Sequence, residues 1–178
     1  MVKLLHVIFY ALFVLPAASQ HVEAKADMQV LIRDFFQVSN LATQGQIITL
    51  ELNNENDIET GINKEIRSNL MVTSTVDYNL FARAAFPVFY NQQSRKSFPS
   101  SVLMLEIINT DLSLNGTAIE KVLNLSTLNQ PLISEGKPLF KNAIDIRYSI
   151  PAEHTKEYLV KAGSGVYSNT IIYTISPQ

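Results

Sequence analysis

Residues 70–83, LMVTSTVDYNLFAR, decide the fold because apolar side chains recur there at nearly every second position. The even positions carry Leu70, Val72, Ser74, Val76, Tyr78, Leu80 and Ala82. Successive side chains of a strand point to opposite faces, so this period of two predicts β-structure with one buried face. The stretch is longer than a typical strand, and we therefore expect it to bend or break near Asp77.

Three further stretches have strand-like patterns. Residues 102–108 form a nearly continuous apolar run that contains Glu106, as expected for a strand in the centre of a sandwich. Residues 143–150 and 167–175 alternate, and the β-branched and aromatic composition of 167–175 also favours a strand. In residues 143–150 the apolar side consists of Ile144, Ile146, Tyr148 and Ile150.

Turn-forming residues separate these stretches. Clusters rich in Asn, Ser, Gly or Pro lie at 53–57, 91–101, 134–138 and 163–165, and Asn115-Gly116 is a strong signal for a tight hairpin. About seven to nine strands connected in this way predict an all-β fold, a single antiparallel β-sandwich.

Two segments fit either kind of secondary structure. Residues 28–41 carry apolar side chains that suit a strand or an amphipathic helix equally well. Residues 116–128 suit a short helix or a strand.

Residues 1–24 have the pattern of a secretion signal. A positive charge precedes an apolar run at residues 4–15, and small residues follow. The run of about 12 residues is shorter than the roughly 20 that span a bilayer. We expect cleavage after Ala24, with cleavage after Ser19 as the alternative. Residues 25–178 are then the exported domain, located in the periplasm, at the cell surface or outside the cell, and not spanning a membrane.

The composition argues against several classes of function. The chain has no cysteine, which removes thiol catalysis, thiolate metal sites and disulfides. Its net charge of −2 gives no electrostatic reason to expect nucleic acid or an anionic membrane as a partner. His154 is the one histidine beyond the leader, whereas a zinc site usually needs three or four nitrogen or sulfur ligands. We expect no cofactor and no metal.

The sequence contains no set of catalytic residues that indicates a particular reaction. His154 lies in a charged stretch that resembles an exposed loop, and a serine–histidine–acid triad on it is a minority alternative, since no G-x-S-x-G motif is present. The acidic stretch 51–65 offers oxygen ligands for calcium or carboxylates for glycoside hydrolysis, but it lacks the spacing of an EF-hand loop. We interpret it as a solvated turn that ends at Gly61, and we predict a non-enzymatic protein.

Residues 86–98, FPVFYNQQSRKSF, are the best candidate for a contact surface, because aromatic side chains stand there beside two cations. The candidate contact residues are Phe86, Phe89, Tyr90, Arg95 and Lys96. The alternative interpretation is that Phe86 and Phe89 close one end of the core while the polar residues solvate a hairpin. The chain has no tryptophan, which weakens the case for a carbohydrate platform.

Residues 162–175, AGSGVYSNTIIYTI, resemble the closing strand of bacterial fimbrial subunits of the chaperone–usher class and of related pilin-like secreted domains. In those proteins a Gly-x-Tyr turn leads into an alternating terminal strand. Residues 70–80 similarly resemble their early strand pair. The resemblance implies an Ig-like fold, export to the bacterial envelope, and a structural or adhesive role.

The resemblance also implies a way of assembling. In the chaperone–usher class the mature N-terminus is a donor strand that completes the next subunit by β-augmentation. Met28, Val30 and Ile32 alternate as such a strand would, but Asp34 interrupts the series, and an ordinary first strand is the alternative. The implied partners are copies of the chain itself, other envelope subunits and a periplasmic chaperone.

Two functions are expected from these observations. The leading one is a non-enzymatic pilin-like or fimbrial subunit that acts in cell adhesion, with residues 28–38 as donor and residues 102–108 and 167–175 lining the acceptor groove. The alternative is a monomeric exported module that binds a glycan or protein ligand through residues 86–98.

Overall fold

Antiparallel strands are the main secondary structure of the residues that the computed structural model describes, namely residues 31, 33–34, 36–40, 47–108 and 117–178. All of these except Leu31 belong to one compact unit, Arg33–Gln178. The expected leader 1–24, the alternating Met28, Val30 and Ile32, and the Asn115-Gly116 turn lie outside the described residues.

The described residues contain eleven strands. In chain order they are β1 (Phe36–Asn40), β2 (Ile62–Ser74), β3 (Tyr78–Ala84), β4 (Val88–Tyr90), β5 (Ser97–Pro99), β6 (Met104–Ile107), β7 (Ala118–Ile119), β8 (Lys121–Val122), β9 (Gln130–Gly136), β10 (Leu139–Ile150) and β11 (Ile171–Pro177). The first sheet has the order β1-β2-β10-β6-β8, and the second has the order β11-β3-β9-β7. Strands β4 and β5 form a separate hairpin, and every pairing is antiparallel.

The period of two at residues 70–83 has the expected result. Strand β2 ends at Ser74 and β3 begins at Tyr78, so the predicted break near Asp77 is confirmed. The even-numbered side chains from this stretch include Leu70, Val72 and Leu80, all at most 2 % exposed. Because β2 and β3 belong to different sheets, this one stretch supplies the core from both.

Strand β10 supplies a second row of the same core. Ile144, Ile146, Tyr148 and Ile150 are buried, as their alternation predicts. Their side chains belong to one hydrophobic cluster with Leu80 of the second sheet. The two sheets therefore share a single core, and the chain is of the all-β class.

The outward side of the first sheet carries charges of alternating sign. Glu65, Arg147, Glu106 and Lys121 are successive cross-strand neighbours on β2, β10, β6 and β8. The Arg147 guanidinium donates to Glu65 at 2.6 Å and to Glu106 at 3.1 Å, and the Lys121 ammonium lies 3.4 Å from Glu106. Opposite charges placed directly across a ladder stabilise strand pairing, so these ion pairs support the register of the sheet.

A chain of polar side chains joins the two sheets inside the core. The Asn69 amide on β2 donates to the Tyr148 hydroxyl at 2.6 Å, and the hydroxyl oxygens of Tyr148 and Tyr173 lie 2.6 Å apart. Tyr173 belongs to β11, so this contact crosses from one sheet to the other. Burial raises the pKa of Tyr148 to about 12, and it raises the pKa of Tyr173 well above its usual value.

Two helical segments occupy places where the sequence suggests turns and loops. The helix α1 (Glu55–Thr60) lies in the acidic stretch and ends at Gly61, whose φ is +82°. A side chain at Gly61 would place its Cβ 2.6 Å from the Ile150 carbonyl oxygen, so only glycine fits there. After β10 comes a helical segment, 152–162, in which a π-helical turn (Thr155–Leu159) joins two short α-helical turns (Ala152–His154 and Val160–Ala162).

Two further expectations, for residues 116–128 and 167–175, are resolved differently. Residues 116–128 contain β7 and β8, so the strand alternative holds over their described part. The expected strand at 167–175 is wrong in its first half, because β11 begins at Ile171, and Ser168 pairs with Tyr90 of the β4–β5 hairpin instead. Within the described residues, no helix is long and apolar enough to cross a membrane.

Candidate functional site

The β4–β5 hairpin and the segment 166–170 form the two walls of an open groove of about 700 Å³. One wall consists of residues 86–88 and 90–93, and the other of Val166 and residues 168–170. The volume falls within the range of roughly 300–1,000 Å³ that is typical of small-molecule sites.

Asn91 organises the turn of the hairpin from a buried position. Its side-chain Oδ1 accepts hydrogen bonds from the backbone N–H groups of Gln93 and Ser94, both at 2.9 Å. Its carbonyl oxygen accepts from Arg95 N–H, and its own N–H donates to the Lys96 carbonyl, again at 2.9 Å. Arg95 takes the left-handed conformation, φ +58°, that this closure requires. The turn therefore has one well-defined shape.

The two walls are hydrogen-bonded to each other. Tyr90 and Ser168 exchange two backbone hydrogen bonds, at 3.1 and 3.0 Å. The Asn169 side-chain amide donates to the carbonyl oxygens of Phe86 at 2.8 Å and Val88 at 3.0 Å, while its Oδ1 accepts from Phe86 N–H at 3.2 Å. These contacts fix the spacing of the walls before any ligand binds.

Gly165 permits the close approach of the second wall to the turn. Its φ is +146°, and a Cβ at this position would overlap the Nδ2 atom of Asn91. The Gly163-Ser164-Gly165 stretch, which the sequence marks as a turn, thus runs directly against the buried centre of the hairpin.

The five candidate contact residues separate into three groups. Phe86 and Tyr90 line the groove, and they are 60 % and 43 % exposed. Phe89 points away from the groove and stacks on Phe98 at a centroid distance of 5.2 Å. The alternative interpretation, that aromatic residues close the core, therefore applies to Phe89, while Phe86 is largely exposed to solvent.

The two cations lie apart from the groove. Lys96 lines a smaller cleft of about 340 Å³ on the other side of the hairpin, against Glu157, Tyr158 and Lys161 of the helical segment. The negative charge of Glu157 raises the pKa of the Tyr158 hydroxyl. Arg95 is exposed at the turn and lines neither depression.

Sequence reasoning missed half of the groove. Gln92 and Gln93 lie within the predicted contact stretch 86–98 but are not among its five candidate contact residues. Ser168 and Thr170 are assigned by sequence to a strand, although they form the second wall. No local pattern indicates that residues so distant in the chain meet; the Asn169 side chain, which has hydrogen-bonding groups of both kinds, is the only signal.

The remaining candidates for chemistry have structural contacts. His154 is 21 % exposed, its Nδ1 lies 3.3 Å from the Val102 carbonyl oxygen, and its ring meets the edge of Tyr158. In the acidic stretch, Asp57 caps helix α1 and Glu65 pairs with Arg147. Among the described residues, no three His, Asp or Glu side chains converge as they would around a metal ion.

Comparisons with protein-family models and with curated proteins found no match to the chain.

Proposed function

We propose that the protein is an exported, non-enzymatic adhesive protein with an Ig-like β-sandwich, and that it binds its ligand in the groove between the β4–β5 hairpin and residues 166–170. The observation that carries this proposal is the exposure of Phe86 and Tyr90 on one wall of a groove whose walls are hydrogen-bonded together.

Exposed apolar surface that lines a depression can mark a contact site for a partner, and Phe86 and Tyr90 both line this groove. Tyr90 combines a large apolar face with a hydroxyl group, which suits a site that is partly wet. Val166, 81 % exposed, extends the apolar surface on the opposite wall. A groove that is already rigid loses little conformational entropy when the ligand binds, which favours affinity.

The lining of the groove supports binding without catalysis. Among the described residues that line it, none is Asp, Glu, His, Lys or Arg. General acid–base catalysis needs a positioned group whose pKa lies near the working pH. The Tyr90 hydroxyl is the only titratable side chain among the described residues of this lining.

Replacing Tyr90 with Ala tests the proposal. Capture of the protein by a panel of immobilised glycoproteins, glycans and proteins should fall about tenfold or more, since an anchoring aromatic residue is worth at least 1.4 kcal/mol. The melting temperature should stay unchanged, because Tyr90 is 43 % exposed. Phe140→Ala is the matched control, as Phe140 is 77 % exposed and lies outside the groove lining. Equal capture of both variants would contradict the proposal, and a loss of stability in Tyr90→Ala would indicate a core role.

A second candidate is a pilin-like subunit of the bacterial envelope that assembles by β-augmentation. The observation that favours it is the position of β11, which pairs with β3 along one edge and with no described strand along the other. Such an edge can accept a strand from another chain. Of the two strands expected to line an acceptor groove, only β11 lies at the edge of its sheet, because β6 lies between β10 and β8.

The donor in this second candidate is the segment 28–38. Its last residues belong to β1, which pairs with β2 of its own chain. Deleting residues 25–38 should convert oligomers into a chaperone-dependent monomer if the segment acts as a donor. A full-length protein that is a stable monomer with this segment protected from protease would contradict assembly.

The N-terminal sequence of protein recovered from the periplasm tests export, and it should begin at Gln20 or Lys25.

A further inference from the structure

We infer that the groove is a site for an uncharged saccharide, an inference that rests on the proposed binding function and specifies its ligand. The lining is uncharged throughout its described residues: it consists of two aromatic side chains, aliphatic side chains, amides and hydroxyls. This combination matches a molecule that presents hydroxyl groups on its edges and C–H groups on its faces.

The groove presents polar groups that the fold itself does not use. The amides of Gln92 and Gln93 and the hydroxyls of Tyr90, Ser168 and Thr170 make no hydrogen bond within the described part of the chain. By contrast, the amides of the neighbouring Asn91 and Asn169 hold the walls together. Each free amide contains a donor and an acceptor, and each free hydroxyl acts as both, which is the pattern that sugar hydroxyls require.

Aromatic faces are available for the apolar side of a sugar ring. Phe86 and Tyr90 line the same wall and are both substantially exposed. The absence of tryptophan weakens a carbohydrate platform when only the sequence is considered. In the structure the two smaller rings, together with Val166 opposite, supply the apolar surface instead.

A charged ligand fits this groove poorly. A carboxylate, sulfate or ammonium group that loses hydration needs an opposite charge or several strong hydrogen bonds. The nearest candidate cations of the hairpin face elsewhere, since Lys96 lines the other cleft and Arg95 lies at the turn outside both.

An extended peptide also fits poorly, because the backbone of the second wall is already paired. Ser168 uses both its N–H and its carbonyl oxygen on Tyr90, and the Thr170 carbonyl accepts from Ala85 N–H. Strand addition by a peptide requires such groups to be free. A saccharide needs only the side chains.

Chemical-shift mapping with defined small molecules tests the inference. The protein is titrated with uncharged methyl glycosides of glucose, galactose, mannose, N-acetylglucosamine and N-acetylgalactosamine, with methyl sialoside as the charged probe and a mixed-sequence peptide library as the peptide probe. We expect shifts at the backbone amides of residues 90–93 and 166–170 with at least one uncharged glycoside. Replacing Gln92 and Gln93 together with Ala should weaken that binding at least about tenfold. Gln37→Ala is the matched control, since Gln37 is an exposed glutamine on β1, outside the groove lining.

The possible outcomes distinguish a failure of the saccharide inference from a failure of the proposed binding function. Binding of sialoside or peptide alone, lost in Tyr90→Ala, would overturn the saccharide inference and leave the binding function standing. Binding of an uncharged glycoside that is unaffected by the glutamine substitutions would also overturn it. If no probe binds in a manner that depends on Tyr90, the inference and the proposed function both fail.

Discussion

At the scale of single residues, the shape of the groove depends on Asn91 and Gly165. Asn91 is buried and closes the hairpin turn through four hydrogen bonds that involve its side chain and backbone. Gly165 lies so close to Asn91 Nδ2 that there is no space for a Cβ atom. Gly165 directly precedes the second wall, so the fit between the two residues sets how closely that wall approaches the hairpin turn.

Gly165→Ala should therefore destabilise the protein, because the new methyl group overlaps Asn91 and the φ of +146° strains any side chain. We expect a loss of about 1–3 kcal/mol in the free energy of unfolding, measured by urea denaturation. Ser164→Ala is the control next to it and should leave the stability nearly unchanged. A Gly165→Ala variant as stable as the wild type would show that the wall does not contact Asn91 as described.

The buried tyrosines predict how stability depends on alkaline pH. Burial raises the pKa of Tyr148 in the folded protein to about 12 from the usual 10. The folded state therefore keeps its proton where the unfolded state releases it. The stabilising contribution is complete below pH 10 and is lost as the pH rises from 10 toward about 12. Tyr78, whose pKa is also raised to about 12 by burial, contributes in the same direction.

Urea denaturation at a series of pH values above 9 measures this effect. Tyr148→Phe should make the decline in unfolding free energy less steep, because one titrating group is gone. Phe140→Ala, which removes an exposed aromatic ring that does not titrate, should leave the slope as it is. An identical slope for wild type and Tyr148→Phe would mean that Tyr148 titrates equally in the folded and unfolded states.

At the scale of elements, the short helix α1 depends on its cap because it contributes no buried residue to the core. The Asn54 side chain accepts from Asp57 N–H at 3.0 Å, and the Asp57 carboxylate accepts from Asn54 N–H at 3.2 Å. Such a reciprocal pair satisfies two backbone donors that the first turn leaves open. Intrinsic propensity alone would not hold a helix of this length.

Asn54→Ala should thus melt α1 locally or reduce the unfolding free energy by about 0.5–2 kcal/mol. Amide hydrogen exchange at residues 55–61 detects the local effect, and urea denaturation detects the global one. Asn56→Ala provides the comparison, because the Asn56 side chain makes no hydrogen bond with the part of the chain that the structure describes, and it should change neither measurement. Equal effects of the two substitutions would contradict the capping role.

At the scale of the whole molecule, the sequence reveals the core better than the site. The local period of two in each strand identifies its buried face, so the sequence predicts the core residues Leu70, Val72, Ile144 and Ile146. The contact between Asn169 and Phe86 cannot be predicted in this way, since it joins residues 83 positions apart and involves polar atoms that have no period. The helical segment 152–162 was also missed, because its charged residues resemble those of a solvated loop and its π-helical turn disturbs the spacing.

Covalent blocking of the groove is the strongest test of whether a ligand binds there. The chain has no cysteine, so Gln93→Cys introduces a single thiol at the groove that a bulky, uncharged maleimide can modify. Gln37→Cys, labelled in the same way, places the identical group on β1, outside the groove lining. Attachment of each labelled protein to surfaces coated with glycans and glycoproteins is then measured before and after modification. Modification at residue 93 should abolish attachment, while modification at residue 37 should leave it intact; attachment that survives modification at residue 93 would rule out ligand binding in the groove.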